Sequence, residues 1–169
     1  MSDTALQDLL EHIRGRFYGK YRGVVTDVDA GTMRIKASIP SVLGGVTSGW
    51  CSPCVPYAGP KVGFVMLPEK GSGVWIEFEG GDVSFPIWTG CYWNSGDIPD
   101  GVSADKKSIV TKAGSLHFDN EESSVTTQVG DDHTVVLDDS GVTISAGSDH
   151  SVAVSSSGVS VNNDALEVS

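Results

Sequence analysis

The stretch that decides the fold runs from Gly49 to Trp93 and reads GWCSPCVPYAGPKVGFVMLPEKGSGVWIEFEGGDVSFPIWTGCYW. Three runs within it are rich in Val, Ile, Phe, Trp and Tyr, residues that suit a pleated, half-buried surface. In the second run Val, Ile and Phe alternate with Trp and Glu, which is the period of a strand with one buried face. Turns of hairpin length, rich in Gly and Pro, separate the runs. We therefore expect an antiparallel meander with strands at Val62–Leu67, Val74–Glu79 and Phe85–Trp93.

The residues before this stretch predict a helix and a further hairpin. Apolar residues spaced by three and four indicate a helix over residues 4–17, which packs on its own barrel or docks on a neighbouring subunit or hub. Tyr21–Asp27 and Thr32–Ile39 form the hairpin, and the polar segment Ser41–Ser48 is expected to be a surface loop. The apolar stripe of the helix consists of Leu6, Leu9, Leu10, Ile13 and Phe17.

The last third of the chain differs from the rest in its composition and in the pattern of its apolar residues. Residues 95–108 are a linker by composition, and short alternating runs broken by Gly, Ser, Asn and Asp begin at Ile109. The segment DHTVVLDDSGVTIS, from Asp132, aligns with DHSVAVSSSGVSVN, from Asp149, at an offset of 17 residues. A weaker copy spans Leu116–Val129. Repetition of short strands indicates a solenoid or β-helix.

The apolar stripe of these repeats predicts self-association. Small β-branched residues cannot bury enough surface within one chain, whereas three copies around one axis would place every stripe inside. Such an assembly also protects strand edges from aggregation. The alternative is a disordered tail rich in Ser, Gly and Asp, against which the regular alternation argues. The predicted trimer core consists of Val135, Leu137, Val142, Ile144, Val152, Val154, Val159 and Val161.

Residues 21–94 also carry an ordered set of motifs that resembles a known family. The set resembles the OB-fold domain of the central spike proteins of contractile injection machines, namely phage baseplate spikes and VgrG-type tips. The resemblance implies an OB-fold barrel followed by an intertwined, triple-stranded β-helix in a homotrimer. The motifs are Gly23-Val24-Val25, Met33-Arg34-Ile35-Lys36, Gly49-Trp50, Pro56-Tyr57-Ala58-Gly59, Leu67-Pro68-Glu69-Lys70-Gly71, Val74–Asp82, Pro86-Ile87 and Gly90.

The resemblance further implies a place in an injection particle. Its partners would be a baseplate hub, a tip protein and the envelope of the target cell, and its location the tail baseplate. Some phage spikes carry a lysozyme domain after the barrel, but here the linker runs straight into Lys106. The His-x-His apex that binds iron in many such spikes is also missing. We therefore expect a PAAR-type tip protein to dock on Leu166 and Val168.

Composition argues against several other functions. The net charge of −11 opposes binding to nucleic acid, because affinity for phosphates comes from Lys and Arg. Acidic residues are concentrated at the C-terminal end, where residues 102–169 hold 11 of them against 3 basic ones. No apolar run is long enough to cross a membrane, and the acidic N-terminal stretch does not have the form of a secretory signal. We expect synthesis in the cytoplasm without a signal peptide.

Candidate chemical groups in the sequence have plain structural explanations. Cys51 and Cys54 lie in an apparent strand, where their separation exceeds disulfide reach, so we interpret them as structural. His133 and His150 occupy equivalent repeat positions with inward parity, and rings of three imidazoles could hold a metal or an anion. The alternative is that both are solvent-facing turn residues. The acidic pairs are interpreted as solvated charge: Glu77/Glu79, Asp131/Asp132 and Asp138/Asp139.

These observations define one expectation and one alternative. We expect a mainly β chain with an N-terminal helix (1–19), an OB-fold domain (20–94), a linker (95–108) and a trimeric β-helix needle (109–169). It would act as a structural, non-enzymatic, membrane-puncturing spike with no catalytic residue and no cofactor. The alternative is an OB-fold module that binds nucleic acid and carries an acidic tail.

Overall fold

The chain divides into two compact units, Met1–Ile98 and Pro99–Ser169. A computed structural model describes residues 7, 10, 11, 13–162 and 165–168, the last two through their backbone. Both units are built from strands, and the described helical segments are short. This confirms the prediction of a mainly β chain.

The first unit is organised around a five-stranded sheet. Its strand order is β2-β1-β6-β7-β3, and a separate two-stranded ribbon pairs β4 with β5. Neighbours in the larger sheet are antiparallel, except that β3 runs parallel to β7. The strands are β1 (Tyr21–Asp29), β2 (Arg34–Ser38), β3 (Ser52–Pro53), β4 (Ala58–Gly59), β5 (Val62–Gly63), β6 (Gly73–Phe78) and β7 (Pro86–Tyr92).

The core of this unit lies on one face of the sheet, as the alternation in the sequence predicted. In β6, Val74, Ile76 and Phe78 are buried, while Trp75 and Glu77 are only partly covered. Full burial of one such aliphatic or aromatic side chain contributes about 1.5–3 kcal/mol, so this core can stabilise the unit within one chain. Its members are Val25, Ile35, Ala37, Ile39, Cys51, Val74, Ile76, Phe78 and Trp88.

Two of the predicted strands end early. The prediction of a strand over Val62–Leu67 is wrong, because β5 stops at Gly63 and pairs only with the two residues of β4. Beyond Gly63 the apolar run has no partner strand in the main sheet, so its composition alone cannot keep it in a ladder. The strand predicted to reach Glu79 ends at Phe78, where a 3₁₀ turn begins and Gly80 takes a φ of 57°.

The segment Ser41–Ser48 is not a plain surface loop. A short helix spans Pro40–Leu43, and Ser48 at the other end is buried. The Ser48 Oγ accepts a hydrogen bond from the Ala37 N–H at 2.9 Å and donates one to the Gly49 carbonyl at 2.8 Å. The polar residue therefore replaces a missing backbone partner inside the barrel. A reading of hydrophobicity misses this role.

The N-terminal helical segment ends before residue 17, the predicted limit. Among its described residues, 7, 10, 11, 13 and 14 are helical, and the chain turns at Gly15. Leu10 and Ile13 are exposed, whereas Phe17 lies beyond the helix and contacts the rings of Tyr21 and Phe78. The Phe17 N–H also donates to the Gly81 carbonyl at 2.8 Å. Only Phe17 of the described stripe thus packs on its own barrel; Leu6 and Leu9 lie outside the described residues.

The second unit is one antiparallel meander. Each strand pairs with the next in sequence, so the sheet order is β15 through β8. The 17-residue repeat proves to be a hairpin, present as β11–β12 and again as β13–β14. The first strand begins at Lys106, inside the segment assigned to the linker. The strands are β8 (Lys106–Val110), β9 (Ser115–Asp119), β10 (Ser124–Val129), β11 (His133–Asp138), β12 (Gly141–Ala146), β13 (Ser151–Ser155), β14 (Gly158–Val161) and β15 (Leu166–Val168).

Candidate self-association face

The register of the second unit gathers its apolar side chains on one face of the sheet. Residues directly opposite one another on neighbouring antiparallel strands point to the same side, and here the pairs continue across the whole meander. We call this surface the apolar face. Its middle row consists of Ile109, Leu116, Thr127, Val135, Ile144, Val152, Val161 and Leu166. A flanking row runs from Lys107 on β8 through Phe118, Val125, Leu137, Val142, Val154 and Val159.

These two rows contain all eight residues predicted for the trimer core. The structure therefore brings them onto one surface, although their role in a trimer is a prediction that a single chain does not test. Of the two residues predicted for tip docking, Leu166 ends the middle row and is 60% exposed. The backbone of Val168 lies opposite Val159, and its side chain lies outside the description.

No described residue of the second unit covers the apolar face. Leu137 is 52% exposed and Ile144 is 50% exposed, and no described residue of the second unit belongs to a buried hydrophobic core. The opposite face carries mainly small polar side chains such as Thr126 and Thr143. A sheet with one continuous uncovered apolar face is expected to bury that face against another element. A patch of this length also marks an interaction surface.

The side chain of His117 lies on the face opposite the apolar face. It stands directly across from Ser108 and Thr126, and its Nδ1 lies 2.6 Å from the Ser108 Oγ. Nearby, Lys106 forms an ion pair with Asp119 at 3.4 Å across the β8–β9 hairpin. These contacts link the two strands of the first hairpin. On the central strands β10 to β13, no Lys, Arg, Asp or Glu belongs to either row of the apolar face.

Carboxylate and hydroxyl groups shape the hairpin turns. Asp138 Oδ1 accepts hydrogen bonds from the Ser140 N–H at 2.8 Å and from the Gly141 N–H at 3.2 Å. The Ser140 hydroxyl and these backbone donors lower the pKa of the Asp138 carboxyl below its usual value. One repeat later, Ser155 takes the same place and accepts from the Ser157 N–H at 3.2 Å. Asp138 is therefore a turn residue whose carboxylate accepts hydrogen bonds from the backbone of its own turn.

Each of these turns ends in a glycine with positive φ. Gly141 has a φ of 141° and Gly158 a φ of 144°. A Cβ added at Gly141 would collide with the backbone carbonyl of Val154 on the neighbouring strand. The DDSG and SSSG sequences are therefore repeated because an acceptor at the first position and a glycine at the fourth are both required.

His133 and His150 lie at the border of the apolar face. His133 is opposite Val129 and Ala146, on the same face as Val135, and the Ala146 N–H donates to the His150 carbonyl at 2.8 Å. Both side chains are exposed in the single chain. Among the described residues, no three His, Cys, Asp or Glu side chains converge on a point that could hold a metal ion. A ring formed by several copies stays a prediction.

The cysteines differ in their surroundings. Cys51 is fully buried, whereas Cys54 is exposed, and neither forms a disulfide. Burial raises the pKa of the Cys51 thiol, although a contact with Ser48 partly offsets this effect. A raised pKa keeps the thiol protonated and unreactive at neutral pH. This supports a structural role for Cys51.

Glu77 is paired with a cation on the outer surface of the barrel. Its Oε1 accepts a hydrogen bond from the Lys20 Nζ at 2.7 Å, and that Nζ also donates to the Thr89 hydroxyl. Glu79 lies in the 3₁₀ turn after β6, so the two glutamates do not share a strand face as predicted. Such exposed pairs contribute little to stability.

The barrel also carries cation–aromatic pairs that the sequence analysis overlooked. The Arg22 guanidinium lies 5.3 Å from the Trp75 ring centroid and 5.0 Å from that of Tyr92. Lys36 lies 4.7 Å from the Trp50 ring. Arg22 and Trp75 are directly opposite on β1 and β6, so their contact strengthens strand pairing. Alternation along two distant segments could not reveal it.

Comparison with protein families matches both units of the chain. Residues 21–93 match a model described as the type VI secretion system/phage-baseplate injector OB domain. Residues 107–167 match a model described as the phage baseplate V C-terminal trimerisation domain. The first unit is therefore similar to the injector OB domain and the second to the baseplate trimerisation domain. No curated protein matches it.

The two matched domains define a coarse function. Both matched domains are structural, so the chain is a structural component of a phage baseplate or of a type VI injection particle. The second match supports self-association, and it spans nearly all of the apolar face. Within the described residues, no helix has the length and apolar character required to cross a membrane.

Proposed function

We propose that this chain is the central spike of its particle and acts as a homotrimer. Three copies of the meander would pack with their apolar faces inward around a common axis. The hydroxyl and acidic side chains would then face solvent, which suits a chain of net charge −11. The extent to which the three chains intertwine is part of this proposal.

The uncovered apolar face is the observation that carries the proposal. Burial of apolar surface contributes about 25 cal/mol per Å², and the second unit gains little of this within one chain. The middle row alone runs through eight strands, from Ile109 to Leu166. Covering such a row in three copies would provide the missing core. The match to a trimerisation domain supports the same stoichiometry.

The function of such an assembly would be mechanical. Its strands are hydrogen-bonded along the entire meander, leaving only β8 and β15 as edges of the sheet. A rigid needle of this kind could transmit the force of a contracting sheath to a small area of the target envelope. The first unit would attach to a baseplate hub. No catalytic group is needed for this role.

The first prediction concerns the mass of the particle in solution. The intact chain should behave as a trimer at micromolar concentration, because its second unit lacks a core of its own. Size-exclusion chromatography with light scattering measures this mass directly. A stable, folded monomer under these conditions would contradict the proposed architecture.

A tip protein of the PAAR type is the second proposed partner. Leu166 continues the middle row into the last strand and remains 60% exposed. β15 has β14 on one side and no described strand on the other. Apolar groups at an open strand edge favour the docking of a partner.

The second prediction tests this docking face. A chain truncated after Asn162 should still form a trimer, because seven strands of the meander remain, but should lose the tip protein from the native particle. Leu166→Ser should weaken tip retention, whereas Ala165→Ser at a neighbouring exposed position should not. Pull-down from purified particles with quantitative mass spectrometry measures retention. Full retention by the truncated trimer would show that the terminus is not the docking face.

A further inference from the structure

The ribbon formed by β4 and β5 projects from the barrel without joining its core. We call residues 57–66 the arm. Val55 before the arm and Leu67 after it both pack against the buried core, so the arm is anchored at its two ends. Between those anchors the ribbon is held by β4–β5 pairing and by the Phe64 N–H, which donates to the Tyr57 carbonyl at 2.8 Å. No residue of the arm belongs to the core or packs against it.

The arm exposes an unusual share of apolar side chains. An isolated two-stranded hairpin is marginal in water, and an exposed apolar cluster of this kind marks an interaction site. These side chains add nothing to the barrel's own core, so their burial has to come from another surface. The exposed apolar residues of the arm are Tyr57, Val62, Phe64, Val65 and Met66.

We propose that the arms of three copies of this chain pack against one another in the assembled spike. This inference rests on the proposed trimer, because the second unit would bring three copies of the arm together. The connection from Tyr92 to Lys106 is short, so the arms would meet at an effective concentration in the millimolar range. A weak apolar contact is sufficient under those conditions.

The low charge of the arm favours a second copy of this chain as its binding partner. Most of the net charge of −11 lies in the second unit, because residues 102–169 hold 3 basic and 11 acidic residues. The arm holds a single charged residue, Lys61, and no acid. Three arms can therefore approach without bringing carboxylates together. An arm–arm contact would also extend self-association from the second unit to the first.

Two valines of equal exposure provide a matched pair for the test. Val65 in the arm and Val46 outside it are each 68% exposed in the single chain. Each is replaced by cysteine in the intact chain, in a background in which the exposed Cys54 and Cys91 are serine and the buried Cys51 is kept. Labelling with a bulky maleimide and cross-linking with a short bis-maleimide are then compared on the purified assembly, after its mass has been measured.

The proposal expects a clear difference between the two variants. Val65→Cys should be labelled about tenfold more slowly than Val46→Cys in the trimer and should give linked chains on a denaturing gel. A trimeric mass with equal labelling and no arm cross-link would overturn the arm contact and leave the proposed function standing. Protection of Val65→Cys without a cross-link would assign the arm to another surface and also overturn the proposal. A monomeric mass would overturn both.

Discussion

Val154→Asp is expected to abolish the trimer. Val154 lies in the flanking row of the apolar face, directly opposite Val142 and Val159. In the proposed assembly the substitution would place three carboxylates in an apolar interior, where each would lack both water and a cation. Leaving one charge buried without a partner costs about 3–5 kcal/mol per chain. Light scattering should then report a monomer or aggregate in place of the trimer.

Ser156→Asp provides the matched control. Ser156 is two residues away, in the exposed turn between β13 and β14. The same charge is added to the same repeat, but at a position that stays in water. The trimer mass and the melting temperature should be almost unchanged. Equal tolerance of both substitutions would show that the apolar face is not the buried one.

Gly141→Ala is expected to disrupt the second unit through its backbone. Gly141 has a φ of 141°, a region that costs an L-residue about 1–3 kcal/mol. The added Cβ would also collide with the Val154 carbonyl, and a backbone group of a neighbouring strand cannot move aside as a flexible side chain can. The β12–β13 ladder would have to shift. Thermal unfolding by circular dichroism should show a large loss of stability together with a loss of trimer.

Gly147→Ala is the control that distinguishes the steric collision of an added Cβ from the backbone strain of a positive φ. Gly147 also has a positive φ, 80°, but a Cβ at that position would meet no atom within 4 Å. Its replacement should cost only the conformational strain, about 1 kcal/mol, and should preserve the trimer. If both glycine variants melted at the same temperature, close approach of the Val154 carbonyl would not be the reason for glycine at position 141.

Val154→Asp and Gly141→Ala both change the second unit, which is expected to have little stability within a single chain. The barrel has nine buried apolar residues, whereas the meander has none among its described residues. Assembly and folding of the second unit are therefore expected to be coupled. The barrel could fold in each chain before the needle forms, since its core is complete without a neighbour.

Much of the fold could be predicted because both units have period-two patterns. The alternation in β6 correctly predicted that Val74, Ile76 and Phe78 face the core. The 17-residue repeat predicted the repeated hairpins, and parity placed His133 on the same side as Val135 and Leu137. These inferences succeed because successive side chains of a strand point to opposite sides, so the buried set can be identified within one segment.

The errors arose where distant contacts decide the structure. The apolar run after Gly63 predicts a strand, but no strand of the main sheet is available to pair with it. Phe17 completes a helical stripe in the sequence, yet it leaves the helix to contact Phe78. Ser48 belongs to a polar segment, but the unpaired N–H of Ala37 makes its burial favourable. Each outcome depends on a partner far away in the chain.

The sequence by itself determined that the chain is mainly β and that it divides into two kinds of unit. It also determined which residues of each strand point to the same side of the sheet. Only the tertiary structure decided which rows these residues form, because a row depends on the register between strands. It also decided that the arm stays off the barrel and that Gly141 faces a backbone carbonyl. Period and composition are local properties, whereas register and close approach require the chain to be folded.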